Sequence, residues 1–421
     1  MQHFPSDAPI IAVVANTTFR GLCSVKLLFV QDAGYYTWAG GMKANRYLAL
    51  ALARRGHDCR AVVGIDAYRR INLDFRSDAS IDVIHRSETQ VRLLDHGIPV
   101  EACLSAGTFE SQTVKAIDDF TPDAIVFSET DSYRRLRLIP DLSRCVIAVH
   151  CVETLPFGPS AVLPDSEATA LFQSVGGTLV VSHFLEAYLH DHAGVEACVV
   201  RYPGYGRAPY PEYGRKDGLV MLINAADIKG LPILLGLADR FPDVRFGAVP
   251  SWATTPLDLF RLVRRKNVRI LEPTPDIEAL FGQVRILLVP SLCQESFPRV
   301  VIEAMLRRIP VMASNVGGLA EAKLGADYVL PVRPIRKWLT RSAGDSMEIA
   351  PLIPEQDVTP WAQCLCRLLA DDSEFDRVAA ISRGKALEFV RTIDVGDFEA
   401  VFEHIARTGE RGRLSKHDST A

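Results

Sequence analysis

Short apolar runs rich in Val, Ile and Leu alternate along this chain with stretches whose apolar residues recur every three or four positions. Val25 to Val30, Cys59 to Val63, Ile81 to His85, Ala124 to Phe127, Val146 to His150 and Thr178 to Val181 read as strands. After the first of them, Ala44, Tyr47, Leu48, Ala51 and Leu52 mark one face of a helix that Gly56 stops. The order strand, helix, strand predicts parallel βαβ units. A second series begins with a strand at Leu219 to Ile223 and a helix at Leu231 to Arg240. Strands at Val244 to Val249, Val268 to Leu271 and Arg285 to Val289 follow, then a helix at Val300 to Arg308 and a strand at Pro310 to Ala313.

Between the two series, Tyr202 to Gly218 carries four Gly and three Pro, the composition of an interdomain linker. The pattern therefore predicts two doubly wound α/β domains in tandem, 1–205 and 206–394. A C-terminal helix at 395–408 follows, and then a polar, aperiodic tail at 409–421 that reads as disordered. Ile10 to Val14 reads as an added strand at a sheet edge. Residues 334–354 have little periodicity and read as a surface insertion. The 421-residue length suits two ordinary domains.

Composition narrows the classes. A net charge of −4 gives no basic footprint for nucleic acid, and Arg134, Arg135 and Arg137 read as a solvated helix face. No apolar run reaches the roughly 18 residues of a membrane span. Met1 to Pro9 lacks the features of a secretory signal, so a cytoplasmic protein is expected, with peripheral membrane contact left open. Nine cysteines without a CxxC pair read as reduced, buried thiols.

The chemistry concentrates in the second half. Glu295-Ser296-Phe297-Pro298-Arg299-Val300-Val301-Ile302-Glu303 follows an apolar strand ending Val289-Pro290-Ser291. Glu295 falls in the loop leaving the strand, and Glu303 lies about one turn into the next helix. Carboxylates there suit sugar or ribose hydroxyls, and N–H groups at a helix start suit phosphates. Downstream, Pro310 to Ala313 leads into Asn315-Val316-Gly317-Gly318-Leu319-Ala320-Glu321. No DxD stands at a strand end. Asp371-Asp372 lies in a helical context, and His190-Asp191-His192 reads as a surface cluster, so no metal site is expected.

The segment from Val289 to Glu321 resembles the donor-site signature of glycosyltransferase family 4, retaining enzymes of GT-B fold. The likeness extends to Gly40-Gly41, to Leu52-Ala53-Arg54-Arg55-Gly56-His57, to Val149-His150, to Val180-Val181-Ser182-His183-Phe184 and to Lys229-Gly230. The resemblance implies a metal-independent transfer from a nucleotide-diphosphate sugar, with no further cofactor, to a small-molecule, glycan or lipid-linked hydroxyl acceptor. It implies two Rossmann-like domains facing across a cleft, with the C-terminal helix crossing back to the first.

By the same resemblance, Glu303 binds ribose hydroxyls, Glu295 contacts the donor sugar and Lys229 neutralises the diphosphate. Backbone groups of Phe297, Pro298, Arg299 and Val300 hold sugar and phosphate. Gly40 and Gly41 let the backbone approach the diphosphate, and His150 reaches a sugar hydroxyl. Thr274, within Glu272 to Asp276, faces the nucleobase. Asn224 stands where the family has an Arg, with Arg299 a candidate substitute, and Arg308 stands where the family has a Gly. Catalysis is expected of Lys229, Glu295 and His150.

On the acceptor side, Tyr35, Tyr36 and Trp38 invite stacking on an acceptor, against the alternative of a loop packed on its own domain. Glu129 and Glu153 sit near strand ends where an acceptor would lie. An epimerase, a pseudo-glycosidic coupling enzyme and a non-catalytic ligand-binding homologue stay open beside the transferase.

Overall fold

The computed structural model describes residues 24–32, 35–36, 43–64, 80–128, 133–206, 208–214, 216–274, 276–343 and 346–408. The expected edge strand at 10–14 and the expected tail at 409–421 lie outside these residues, as do Trp38, Gly40, Gly41 and Glu129. The chain divides into two compact units, residues 1–208 with 393–421, and residues 209–392.

The first unit is built on β1 (Lys26–Gln31), whose Leu27, Leu28, Phe29 and Val30 are at most 1% exposed. Such a run is apolar on both faces because helices cover both faces of a parallel sheet. β2 (Asp58–Gly64), β3 (Ile81–Arg86), β4 (Gln90–Asp95), β5 (Ile98–Cys103), β6 (Ala124–Ser128), β7 (Cys145–Val149), β8 (Gly177–Val180) and β9 (Cys198–Val199) complete the sheet. Their order is β3-β4-β5-β2-β1-β6-β7-β8-β9, parallel except for the β3-β4 and β4-β5 pairs. The β4-β5 hairpin went unread in the sequence. Its two-residue turn is His96-Gly97, with φ of +49° and +88°, the geometry a tight hairpin needs at both positions.

The helix Gly396–Thr408 belongs to this first unit. Phe398, Val401, Phe402 and Ile405, at helical spacing, are buried in its core. Glu399 anchors the helix, accepting hydrogen bonds from Arg55 Nε at 2.5 Å and Arg55 Nη2 at 2.7 Å. The Val25 N–H donates to His57 Nδ1 at 3.2 Å. The ring proton therefore sits on Nε2, which donates to Glu399 at 3.0 Å.

A buried ion pair lies against Tyr36. Arg46 Nε and Nη2 donate to the two oxygens of Asp95 at 2.6 and 2.7 Å, both residues at most 7% exposed. Tyr36 donates to the same carboxylate at 3.4 Å and lies under the Arg46 guanidinium. Tyr35 is 1% exposed, and burial pushes its phenol far above the ordinary range. The expectation that Tyr35 stacks on an acceptor is thereby corrected. Its ring is a core element, packed edge-on against Tyr36.

The second unit carries β10 (Leu219–Ile223), β11 (Phe246–Val249), β12 (Val268–Ile270), β13 (Val284–Val289), β14 (Val311–Ser314) and β15 (Val329–Leu330), in the order β12-β11-β10-β13-β14-β15 and all parallel. Helices Leu231–Arg240, Arg299–Leu306, Thr359–Ala370 and Asp372–Arg391 flank this sheet. Asp371 caps the last of these through the N–H groups of Ser373 and Glu374. The stretch read as an aperiodic insertion forms an antiparallel hairpin, β16 (Trp338–Ala343) and β17 (Ser346–Pro351). Among the described residues no helix is long and apolar enough to cross a membrane.

Candidate functional site

The carboxyl ends of β10, β13 and β14 meet in the second unit, where ligands bind in open α/β sheets. Asn224 follows β10, and its φ of +63° is left-handed. Asn is among the few non-glycine types that tolerate this region. Its Oδ1 is buried and has no hydrogen-bond partner among the described residues. The chain then makes a 3-10 turn over Asp227–Lys229 and enters the next helix through Gly230 at φ +84°. A Cβ on Gly230 would lie 2.0 Å from the carbonyl oxygen of Pro290, so only glycine lets the two loops approach. The N–H groups of Leu292 and Cys293 both donate to the Ile228 carbonyl, at 2.9 and 3.2 Å, and lock the loops together.

Lys229 and Glu295, 66 residues apart in sequence, come into contact here, Lys229 Nζ donating to Glu295 Oε1 at 2.7 Å. Ser291 Oγ donates to the same oxygen at 2.6 Å. Both charged side chains keep a minor exposure, 18% and 15%. The backbone of Glu295 is held as firmly as its carboxylate. Its carbonyl accepts the Gly318 N–H at 2.6 Å, and a Cβ on Gly317 would lie 2.3 Å from that oxygen. Ser314 Oγ, at the end of β14, donates to the Ser291 carbonyl at 2.7 Å. Ser291, Ser314 and Ile228 are partners that the sequence did not single out. Ser291 and Ser314 stood out only by their place at strand ends, and Ile228, inside the 3-10 turn, gave no signal.

The helix Arg299–Leu306 starts beside Glu295 with Pro298 at its N-cap and no side-chain cap. The N–H groups of a first turn left without a side-chain acceptor are positioned for an anion. Phe297 stacks on Phe389 at 5.4 Å, fixing the entry of the loop. Arg299 is 6% exposed and its Nε lies 3.8 Å from Glu303, the residue one turn on. Val300, like Phe297 and Pro298, follows Glu295 directly into this helix start. At the far end Arg308 has φ +61°, the left-handed position where glycine is usual. Arg307 is 1% exposed, paired with Glu278 and donating to the Glu303 carbonyl at 2.8 Å.

Thr274 lies in the loop after the edge strand β12, and its hydroxyl accepts the Asp276 N–H at 3.1 Å. His150 and Glu153 lie in the first unit. His150 Nε2 is 3.3 Å from Asn45 Oδ1, and Asn45 donates to Gln31 at 3.0 Å. The ring also packs against Tyr202 at 5.0 Å. Glu153 accepts from the Cys151 thiol at 3.1 Å. Among the described residues no group of three or more His, Cys, Asp or Glu could hold a metal ion.

Behind the Gly317-Gly318 turn, Lys323 is fully buried, its Nζ donating to the Val311 carbonyl at 2.6 Å. Burial pushes its pKa down from 10.5 to about 7. Between these values the unfolded chain binds more protons than the folded one, so stability rises with pH from about 7 towards 10. Below pH 7 the cost of burying the ammonium is full. Lys323→Met is therefore expected to stabilise by a few kcal/mol at pH 6 and by progressively less towards pH 10. Denaturant melts of both proteins at the two pH values measure this, and a gain independent of pH contradicts it.

The family-model match falls in the same half of the chain. Residues 236–371 match the family model described as glycosyl transferases group 1. Over 208 residues the chain is 30% identical to a D-inositol 3-phosphate glycosyltransferase of Mycolicibacterium paratuberculosis, a stretch covering 46% of this chain and 42% of that protein. The chain thus spans less than half the length of this curated relative. Among solved structures, Anabaena HepE in complex with UDP-glucose aligns with a TM-score of 0.61 at 18% identity, over 91% of this chain and 99% of that one. The sucrose-phosphate synthase of Thermosynechococcus elongatus aligns at 0.59 and 16%, over 90% and 97%. A glycosyltransferase from Rickettsia africae aligns at 0.57 and 13%, over 92% and 100%. These likenesses establish the fold as GT-B, with two Rossmann-like units.

Proposed function

We propose that this protein is a glycosyltransferase that moves a sugar from a nucleotide-diphosphate sugar to a hydroxyl acceptor, with retention and without a metal ion. The observation that carries the reading is the Lys229–Glu295 contact at the carboxyl ends of β10 and β13, beside a helix start with no side-chain cap. A cation and a row of N–H groups suit a diphosphate, and a carboxylate suits sugar hydroxyls. The match of residues 236–371 to group 1 glycosyl transferases and the UDP-glucose complex of a protein of like fold support it.

In this reading the diphosphate lies against Lys229 and the N–H groups that follow Pro298. Glu295, oriented by Lys229 and Ser291, accepts from sugar hydroxyls, and Glu303 accepts from the ribose. Thr274 borders the nucleobase. The C1–O bond to the diphosphate breaks, and its electron pair stays on the leaving phosphate. The acceptor oxygen bonds to C1 on the same face, and its proton passes to a phosphate oxygen, so the step needs no protein nucleophile.

Two measurements test this. Calorimetric titration against a panel of nucleoside diphosphates and their sugars is expected to find one that binds, and Glu303→Ala to weaken it by about 1.5–3 kcal/mol, with Glu303→Gln losing less. Unchanged affinity in the folded Ala variant would make Glu303 a helix-surface residue. Turnover with the donor so identified is expected to survive EDTA, because Lys229 and backbone N–H groups meet the diphosphate charge. Activity abolished by chelation and restored by Mg²⁺ or Mn²⁺ contradicts the metal-free part.

A further inference from the structure

We propose that the outward face of the helix Pro256–Val263 docks on an anionic lipid surface. The helix is secured from within. Thr255 and Asp258 form a reciprocal capping box, and Asp258 and Leu262 are its buried side chains, 2% and 0% exposed. On its solvent side the usual polarity is reversed. Leu257, Phe260 and Val263 recur three apart along one outer stripe and are 62%, 56% and 66% exposed. Trp252, on the approach to the helix, is 66% exposed. Single exposed apolar residues are ordinary, but four large ones around one short helix form a patch that marks an interaction surface.

Charge selects the occupant. The whole chain is acidic, at −4, yet residues 255–270 hold five basic side chains (Arg261, Arg264, Arg265, Lys266 and Arg269) against one acidic one, the buried Asp258; Arg261 is paired with Asp227 and Arg265 with Asp239, so the local charge rests on the other three. Arg264, Lys266 and Arg269 are exposed, and the Arg264 guanidinium lies over the Phe260 ring at 5.4 Å. Apolar side chains that enter the acyl boundary, a Trp at their margin and cations beside them are the requirements of an interfacial helix on anionic lipid. A second copy of this chain fits poorly. A two-fold contact through this stripe would set the same cations against one another.

Co-sedimentation of the whole protein with vesicles tests the proposal, and it needs neither donor nor turnover, so it stands apart from the transferase reading. Binding is expected to phosphatidylcholine vesicles containing roughly one-third phosphatidylglycerol, and to be about tenfold weaker to phosphatidylcholine alone. Phe260→Ser and Leu257→Ser, both at exposed positions, are each expected to lower partitioning about tenfold with an unchanged melting temperature. The Arg264→Glu, Lys266→Glu double variant is expected to remove the preference for the anionic vesicles. Wild-type protein that stays in the supernatant, or Phe260→Ser that binds as well as wild type, overturns the proposal. So does a lipid-free dimer that Phe260→Ser dissociates, which would assign the stripe to a second copy.

Discussion

Lys229→Ala is expected to lower kcat by about 10³, the upper part of the range for removing one preorganised charge-stabilising group. As the leaving group departs, negative charge grows on the phosphate. A lysine about 4 Å away at an effective dielectric near 20 interacts with it by about 4 kcal/mol before desolvation. The side chain is already oriented, since Glu295 holds its Nζ at 2.7 Å and Ser291 holds Glu295. Its removal also leaves the Glu295 carboxylate without its cation beside the incoming diphosphate, which adds repulsion to the loss. Lys229→Arg keeps the charge but changes its geometry, and part of the activity is expected to remain. Asn224→Arg is not expected to compensate, because the backbone at 224 is left-handed and a longer side chain there costs roughly 1–2 kcal/mol. Steady-state kinetics on folded variants decide the matter. A Lys229→Ala enzyme within a few-fold of wild type would falsify the placement of the diphosphate on this lysine.

Gly230→Ala is expected to be the most destabilising small substitution in the second unit, by more than about 4 kcal/mol. The left-handed φ alone costs an L residue roughly 1–2 kcal/mol. The larger cost is steric. The new Cβ falls 2.0 Å from the Pro290 carbonyl oxygen, and both partners are backbone, so no side chain can rotate away. Relief requires the loops after β10 and β13 to separate, which breaks the two N–H contacts on Ile228 and moves Lys229 from Glu295. A melting temperature at least roughly 8 °C lower is the expected readout for a unit of this size. A shift of only a degree or two would mean that the loops yield cheaply and that their closeness is not what positions the lysine.

The sequence displayed the central strands of both sheets because a strand covered on both faces has little choice but to be apolar, whereas the short strands Cys198–Val199 and Val329–Leu330 went unread. It also pointed to Lys229 and Glu295 separately, though only the parallel pairing of β10 with β13 sets their loops side by side. Other features were illegible for identifiable reasons. The β4-β5 hairpin turns on His96-Gly97, a pair without the Asn or Asp that usually announces such a turn. Tyr35 sat in a loop rich in glycine and aromatics, where composition suggests exposure. The Arg46–Asp95 pair that helps enclose it joins residues 49 apart. The stripe of Leu257, Phe260 and Val263 has helical spacing, but periodicity gives the existence of an apolar side and not whether anything covers it. Asn224 was noticed as a missing cation, whereas its left-handed backbone makes it first a turn residue.

The return of the helix Gly396–Thr408 to the first unit sets an order of events during synthesis. Phe398, Val401, Phe402 and Ile405 fill a core whose other residues run only from Val25 to Tyr202, apart from Val395. Residues 209–392 must leave the ribosome in between, which takes roughly ten to forty seconds at ordinary elongation rates. The second unit, continuous in sequence, has all its parts while the first still waits for its last helix. A nascent chain in that interval leaves uncovered the part of the first unit's sheet on which this helix packs, and Arg55 and His57 have yet to meet the Glu399 carboxylate. The unit that is synthesised first is thus the one that finishes folding last.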